Sequence, residues 1–119
     1  MATLRTVPQP EWRVFFDAMS KALLGKWAEI EVASLDLGDQ ITAEWVPMLG
    51  ITYDTADDAI DVGLDRVSHM IYHPRAIVVE EEGAVLKSVA ITDEDGEQQV
   101  IRMKEPLKLS APSGRTAGA

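Results

Sequence analysis

The chain has 119 residues, 46% of them apolar and 26% charged, with 20 acidic and 11 basic side chains and a formal net charge of −9. The absence of cysteine excludes a disulfide framework, thiolate metal sites and thiol catalysis. Ten acidic residues lie between Lys26 and Arg66 with no lysine or arginine among them, which argues against nucleic acid and anionic membrane as partners, since both are bound by neutralising phosphates.

Residues 1–9 read as an N-terminal arm ending in the breaker cluster Val7-Pro8-Gln9-Pro10. Pro10 suits a first helical turn, where its missing N–H is not needed. Trp12, Phe15, Phe16, Met19, Leu23 and Leu24 then recur at helical spacing, which predicts an amphipathic helix over about 10–24 with Gly25 as its stop. The period changes to two after Lys26. Ala28, Ile30 and Val32 alternate with Glu29 and Glu31, and Ile41, Ala43 and Trp45 alternate with Thr42 and Glu44; each set predicts a strand with one wet face. A turn falls between them, around Leu35–Asp39. Pro47 should end the second strand or confine it to an edge, and Gly50 suggests a bulge or bend. Trp27 shares the parity of Glu29 and Glu31, so partial exposure is expected of it.

Asp54 to Asp58 is a polar loop, Pro74 to Gly83 a strand running into a charged turn, and 85–92 with 98–103 a hairpin. A two-residue turn at Asp95-Gly96 would set Lys87 opposite Lys104, an unfavourable pair. A three-residue loop ending at Gly96 instead pairs Val89 with Ile101 and Ser88 with Arg102, and is preferred. Residues 110–119 lack the apolar content to pack and read as a loose tail. The fold class expected is α+β in a single domain over 10–109. One N-terminal amphipathic helix packs on a bent, mostly antiparallel sheet of five to seven strands, or on a partly open barrel. No basic-then-apolar leader is present and no apolar run approaches the roughly 20 residues of a membrane span, so a soluble, cytoplasmic protein is expected.

Thr55 to His73 supports two structures. As a helix, Ala56, Ala59, Ile60, Leu64, Val67 and Ile71 form a stripe after a Thr55-x-x-Asp58 cap, and His69 and His73 become i,i+4 neighbours able to share a metal. As strands, Ile60, Val62 and Leu64 alternate with Asp61, Gly63 and Asp65, and a turn at Asp65-Arg66 leads to Met70, Ile71 and Tyr72. Gly63 weakens the helix by about 1 kcal/mol, and Ile60, Val62 and Val67 are better strand formers. Strands are therefore preferred. Glu11-Trp12-x-x-Phe15-Phe16-Asp17, Leu37-Gly38-x-Gln40, Gly50-Ile51-Thr52 and Ser68-His69-x-Ile71-x-x-Pro74 occur in this order. Over about residues 5–107 the chain thereby resembles a family of small bacterial proteins known only as a domain of unknown function. The resemblance implies a compact bacterial domain and favours strands over 59–72; it supplies no activity, cofactor or catalytic residue.

The segment Arg66 to Arg75 holds both histidines, two arginines and a tyrosine, and no acidic residue. Arg66, His69, Tyr72, His73 and Arg75 are the candidate ligand- or partner-binding residues, with the histidines able to titrate near neutral pH. The competing reading is a strand whose polar face carries ordinary solvated or hydrogen-bonded side chains. His69→Ala should leave the fold intact. No Gly-x-Ser-x-Gly elbow, phosphate loop or His-Glu-x-x-His motif is present. Asp93-Glu94-Asp95-Gly96-Glu97 lacks the spacing of a calcium loop, and the carboxylates are too abundant for their number to inform. No catalytic residue or metal ligand is assigned and no cofactor is expected. The function expected is a non-catalytic bacterial interaction or regulatory module that binds a protein or small ligand. The alternative is a small enzyme or metal-binding protein using His69 with an aspartate from 54–65.

Overall fold

Trp12, Phe15, Phe16 and Met19 are all buried and lie on one face of helix α1, Trp12–Leu23. A 3₁₀ turn over Gln9–Glu11, with proline in its first turn, leads into it. The computed structural model describes residues 3–23, 26–34, 38–64, 67–83 and 85–108. The expected helix stop at Gly25, the central turn residues 35–37, the Asp65-Arg66 turn and the 110–119 tail lie outside these residues.

Eight strands follow the β period: β1 (Thr3–Thr6), β2 (Trp27–Ser34), β3 (Gly38–Asp54), β4 (Ala59–Leu64), β5 (Val67–Tyr72), β6 (Pro74–Glu82), β7 (Val85–Asp93) and β8 (Gln98–Lys108). Their order is β1-β6-β7-β8-β2-β3-β4-β5, and every ladder is antiparallel. The α+β expectation holds, and the sheet is not closed into a barrel. There is one strand more than the five to seven expected. Thr3–Thr6, read as part of an arm, pairs with Val78–Glu81, and Val7 continues that contact by donating to the Ile77 carbonyl at 2.8 Å.

β3 is the hinge of the architecture. Residues 38–47 of β3 pair with β2; from Met48 to Asp54 it pairs with β4, with a register shift between Met48 and Gly50. Pro47 therefore does not end the strand. It sits where β3 leaves one neighbour for another, a place where a missing N–H breaks no ladder. The bend is anchored on both sides. Met48 donates to the Lys26 carbonyl at 2.9 Å, and Ser20 of α1 bonds both main-chain groups of Ile51, accepting from its N–H at 2.8 Å. A helix hydroxyl thus replaces the strand that β3 lacks beyond Pro47.

The sheet turns back over itself, as the link from β5 to β6 shows. His73 alone separates them, although β5 is at one end of the strand order and β6 next to the other. Ile60, Val62, Leu64 and Ile71 from one arm meet Ile77, Val79, Leu86, Val89, Ile91 and Ile101 from the other, with Phe16 and Met19 of α1 in the same core. The region 59–72 is two strands and not a helix, as preferred. The β7–β8 register is also the preferred one, with Val89 opposite Ile101 and Ser88 opposite Arg102. Asp93 donates to the Glu97 carbonyl at 3.0 Å and Gly96 takes φ +84°, the left-handed residue that closes a three-residue hairpin loop. Trp27 is 49% exposed, with the Lys104 ammonium 5.6 Å from its ring centre.

Candidate functional site

The β4–β5 ladder pairs Leu64 with Val67, Val62 with His69 and Ile60 with Ile71. Beyond the strand ends, the His73 amide donates to the Asp58 carbonyl at 2.8 Å, which makes positions 58 and 73 a hydrogen-bonded pair. Antiparallel pairs alternate, so those at 60/71 and 62/69 are hydrogen-bonded as well. It follows that Ser68, Met70 and Tyr72 direct their main-chain groups away from β4. Among the described residues no strand lies there, because β5 is the last strand of the sheet.

Side chains alternate in the same way. His69 shares the core face with Val62 and Ile71, and its Nε2 donates to Oε1 of Gln99 on β8. Gln99 is only 5% exposed and is the buried polar side chain among the described residues. Of the solvated or hydrogen-bonded side chains expected for this segment, His69 is of the hydrogen-bonded kind, on the inner face. The ring is half-buried and forms a polar contact between the two arms of the sheet. Ser68, its neighbour in sequence, is exposed on the opposite face, so the two cannot act as a hydroxyl–imidazole pair.

His73 lies in the corner between β5 and β6 with φ +54°, and Asp58 opposite it has φ +50°. These are the non-glycine residues with positive φ among the described residues, a conformation that costs an L side chain energy and persists only where its surroundings hold it. Here the support is visible. Asp58 Oδ1 accepts from the Tyr53 hydroxyl at 2.8 Å and Oδ2 faces His73 Nδ1 at 3.3 Å. Glu94 in the β7–β8 turn lies 3.9 Å from His73 Nε2 and 3.2 Å from Arg75 Nη2, and its amide donates to the His73 carbonyl at 3.0 Å. Both imidazole nitrogens thus face carboxylates of the chain itself. The Tyr53 ring packs edge-on against Trp12 at 5.3 Å, tying the corner to the start of α1.

The five sequence candidates separate accordingly. Arg66 lies outside the described residues. His73 and Arg75 are brought together, but with Asp58 and Glu94 as partners, so the apparent positive cluster is neutralised locally. His69 faces inward. Tyr72 is 57% exposed on the outer face. The aspartate expected to meet His69 meets His73 instead. Among the described residues no group of three or more His, Asp or Glu side chains is placed to hold a metal ion. Glu94 and Tyr53 were not singled out as site residues, and Asp58 entered only as one of the aspartates of 54–65. The signal for Asp58 was nevertheless present: counting outward from a turn at Asp65-Arg66 sets it opposite His73.

The Tyr53 hydroxyl, followed by His73, holds the Asp58 carboxyl below the usual carboxylate range. Burial, with the Asp58 bond second, pushes the Tyr53 hydroxyl up. A depressed carboxyl gives stability that is complete above the unfolded pKa and is lost as pH falls through the folded one. A raised phenol gives stability below its unfolded pKa that is lost as pH rises through the folded one. Tyr53→Phe is expected to cost about 1 kcal/mol near neutral pH and to flatten both limbs. Urea denaturation across acid, neutral and alkaline pH measures this; unchanged limbs would show that the corner carries no linked protonation.

The chain matches the family described as a family of unknown function (DUF5335) over residues 3–112. It is also similar to an uncharacterized protein of Aquifex aeolicus (strain VF5), 34% identical over 110 residues that cover 92% of this chain and 98% of that protein. No solved structure matches it. With a family match spanning the whole described fold and a relative of equal extent, the chain belongs to the DUF5335 family of unknown function.

Proposed function

We propose that the protein is a non-catalytic interaction module of the bacterial cytoplasm that recognises a protein partner through β5 and Tyr72. The observation that carries this reading is the division of the 67–75 segment. Its histidines and Arg75 face Gln99, Asp58 and Glu94, while no strand among the described residues pairs with the outer main-chain edge of β5 and the Tyr72 ring is exposed. An open edge supplies affinity by strand addition, and alternate side chains supply specificity. Tyrosine is among the residues enriched where protein surfaces meet.

The test is position-specific photo-cross-linking in the native bacterium. A benzophenone amino acid in place of Tyr72 should give discrete protein adducts that the same probe in place of Arg13, exposed on α1, does not give. No adduct at 72, or the same adducts at both positions, would overturn the reading.

A further inference from the structure

We infer that the partner on the β5 edge is a second copy of this chain, paired antiparallel about Met70; the inference rests on the proposed role of β5. Exposed strand edges are usually defended by charge, proline, a bulge or shortness. The other edge, β1, is four residues long and carries Arg5, ion-paired with Glu81 at 3.0 Å. β5 has none of these defences. Val-Ser-His-Met-Ile-Tyr contains no acid, lysine, arginine or proline, and its ladder to β4 runs without a register shift.

Charge favours like meeting like at this place and disfavours it elsewhere. The chain carries −9, so most surfaces of two copies repel. No acidic residue lies between Val67 and Arg75, and Asp58 and Glu94 lie beside His73 and Arg75. The edge strand itself therefore brings little charge to the meeting of two copies, with Asp61 of β4 opposite Met70.

The edge is also self-complementary in register. The outward main-chain groups belong to Ser68, Met70 and Tyr72, spaced evenly about Met70. An antiparallel pair centred on Met70 sets Met70 against its own equivalent, Ser68 against Tyr72, and Tyr72 against Ser68. Each of these pairs exchanges both hydrogen bonds, so no outward N–H or carbonyl is left over. On the outer face the small Ser68 side chain lies opposite the large exposed Tyr72 ring. The contact is isologous and closes after two copies, uniting two sheets across one two-fold axis.

Because Met70 faces itself only in this arrangement, charge reversal tests both partner and register. Full-length chain should sediment as a dimer at micromolar concentration. Met70→Lys and Met70→Glu should each weaken self-association by roughly tenfold or more, since like charges then face each other directly. An equimolar mixture of the two should restore dimers. Circular dichroism checks the fold of each variant, and recovery on mixing could not come from an unfolded chain. Should a Met70 variant lose its sheet signal, Ser68→Lys at an exposed position takes its place and is expected to give a folded monomer. A monomeric wild type, variants that still dimerise, or a mixture that stays monomeric would overturn the inference. A monomer whose Tyr72 position still cross-links to a different protein would remove the second copy and leave the interaction module standing. The absence of any adduct would remove both.

Discussion

Phe16→Ala is expected to lower the stability of the domain by about 3–5 kcal/mol. Phe16 is 0% exposed and packs edge-on against Phe15 at a ring separation of 5.4 Å. It projects from the only α-helix among the described residues, and that helix is fixed to β3 by Ser20, so its backbone cannot readily shift to refill the space. A domain of this kind has about 5–15 kcal/mol in total, and the variant should approach the threshold of folding at 37 °C. Urea denaturation of Phe16→Ala beside Val14→Ala provides the measurement. Val14 is 53% exposed on the same helix, and its loss should fall within about 0.5 kcal/mol. Equal effects of the two substitutions would mean that α1 does not bury the face described.

His69→Ala is expected to cost about 1–3 kcal/mol while leaving a folded domain, because it strands the Gln99 amide in the core without its partner. Gln99→Leu alone leaves a half-buried imidazole that water can partly serve, a smaller loss. The double substitution His69→Leu/Gln99→Leu exchanges a polar pair for an apolar one and should recover most of the deficit. A thermodynamic cycle over these variants measures the coupling. Independent, additive effects would show that the contact between β5 and β8 contributes nothing.

Much of this architecture was legible in local pattern. Trp12, Phe15, Phe16 and Met19 announced α1 because a single stripe at helical spacing has one way to be buried. The β7–β8 register followed from the like charges of Lys87 and Lys104, which disfavour the competing turn. The strands over 59–72 followed from Ile60, Val62 and Gly63. What pattern could not supply was the pairing of distant segments. Thr3–Thr6 has no hydrophobic alternation and becomes a strand because β6 offers an edge. Pro47 offered either a strand end or an edge, and the choice between them depends on β3 changing partners there. For His69, periodicity supplied the alternation but not which face was buried, a choice decided by Gln99 thirty residues on. The positive cluster dissolved for the same reason: Asp58 and Glu94, far apart in sequence, converge on one corner.

The ladder between β2 and β8 sets Ala28 opposite Met103 and Ala33 opposite Gln98. Contacts between such remote positions make folding slow, since the intervening chain must be ordered before they form. On the ribosome, β2 is synthesised well before β8 and remains without this neighbour until β8 emerges. During that interval β2 can pair with β3 on one side but presents an unpaired edge on the other, the kind of surface that chaperones shield. Emergence of β8, more than any local nucleation, therefore times the completion of this fold.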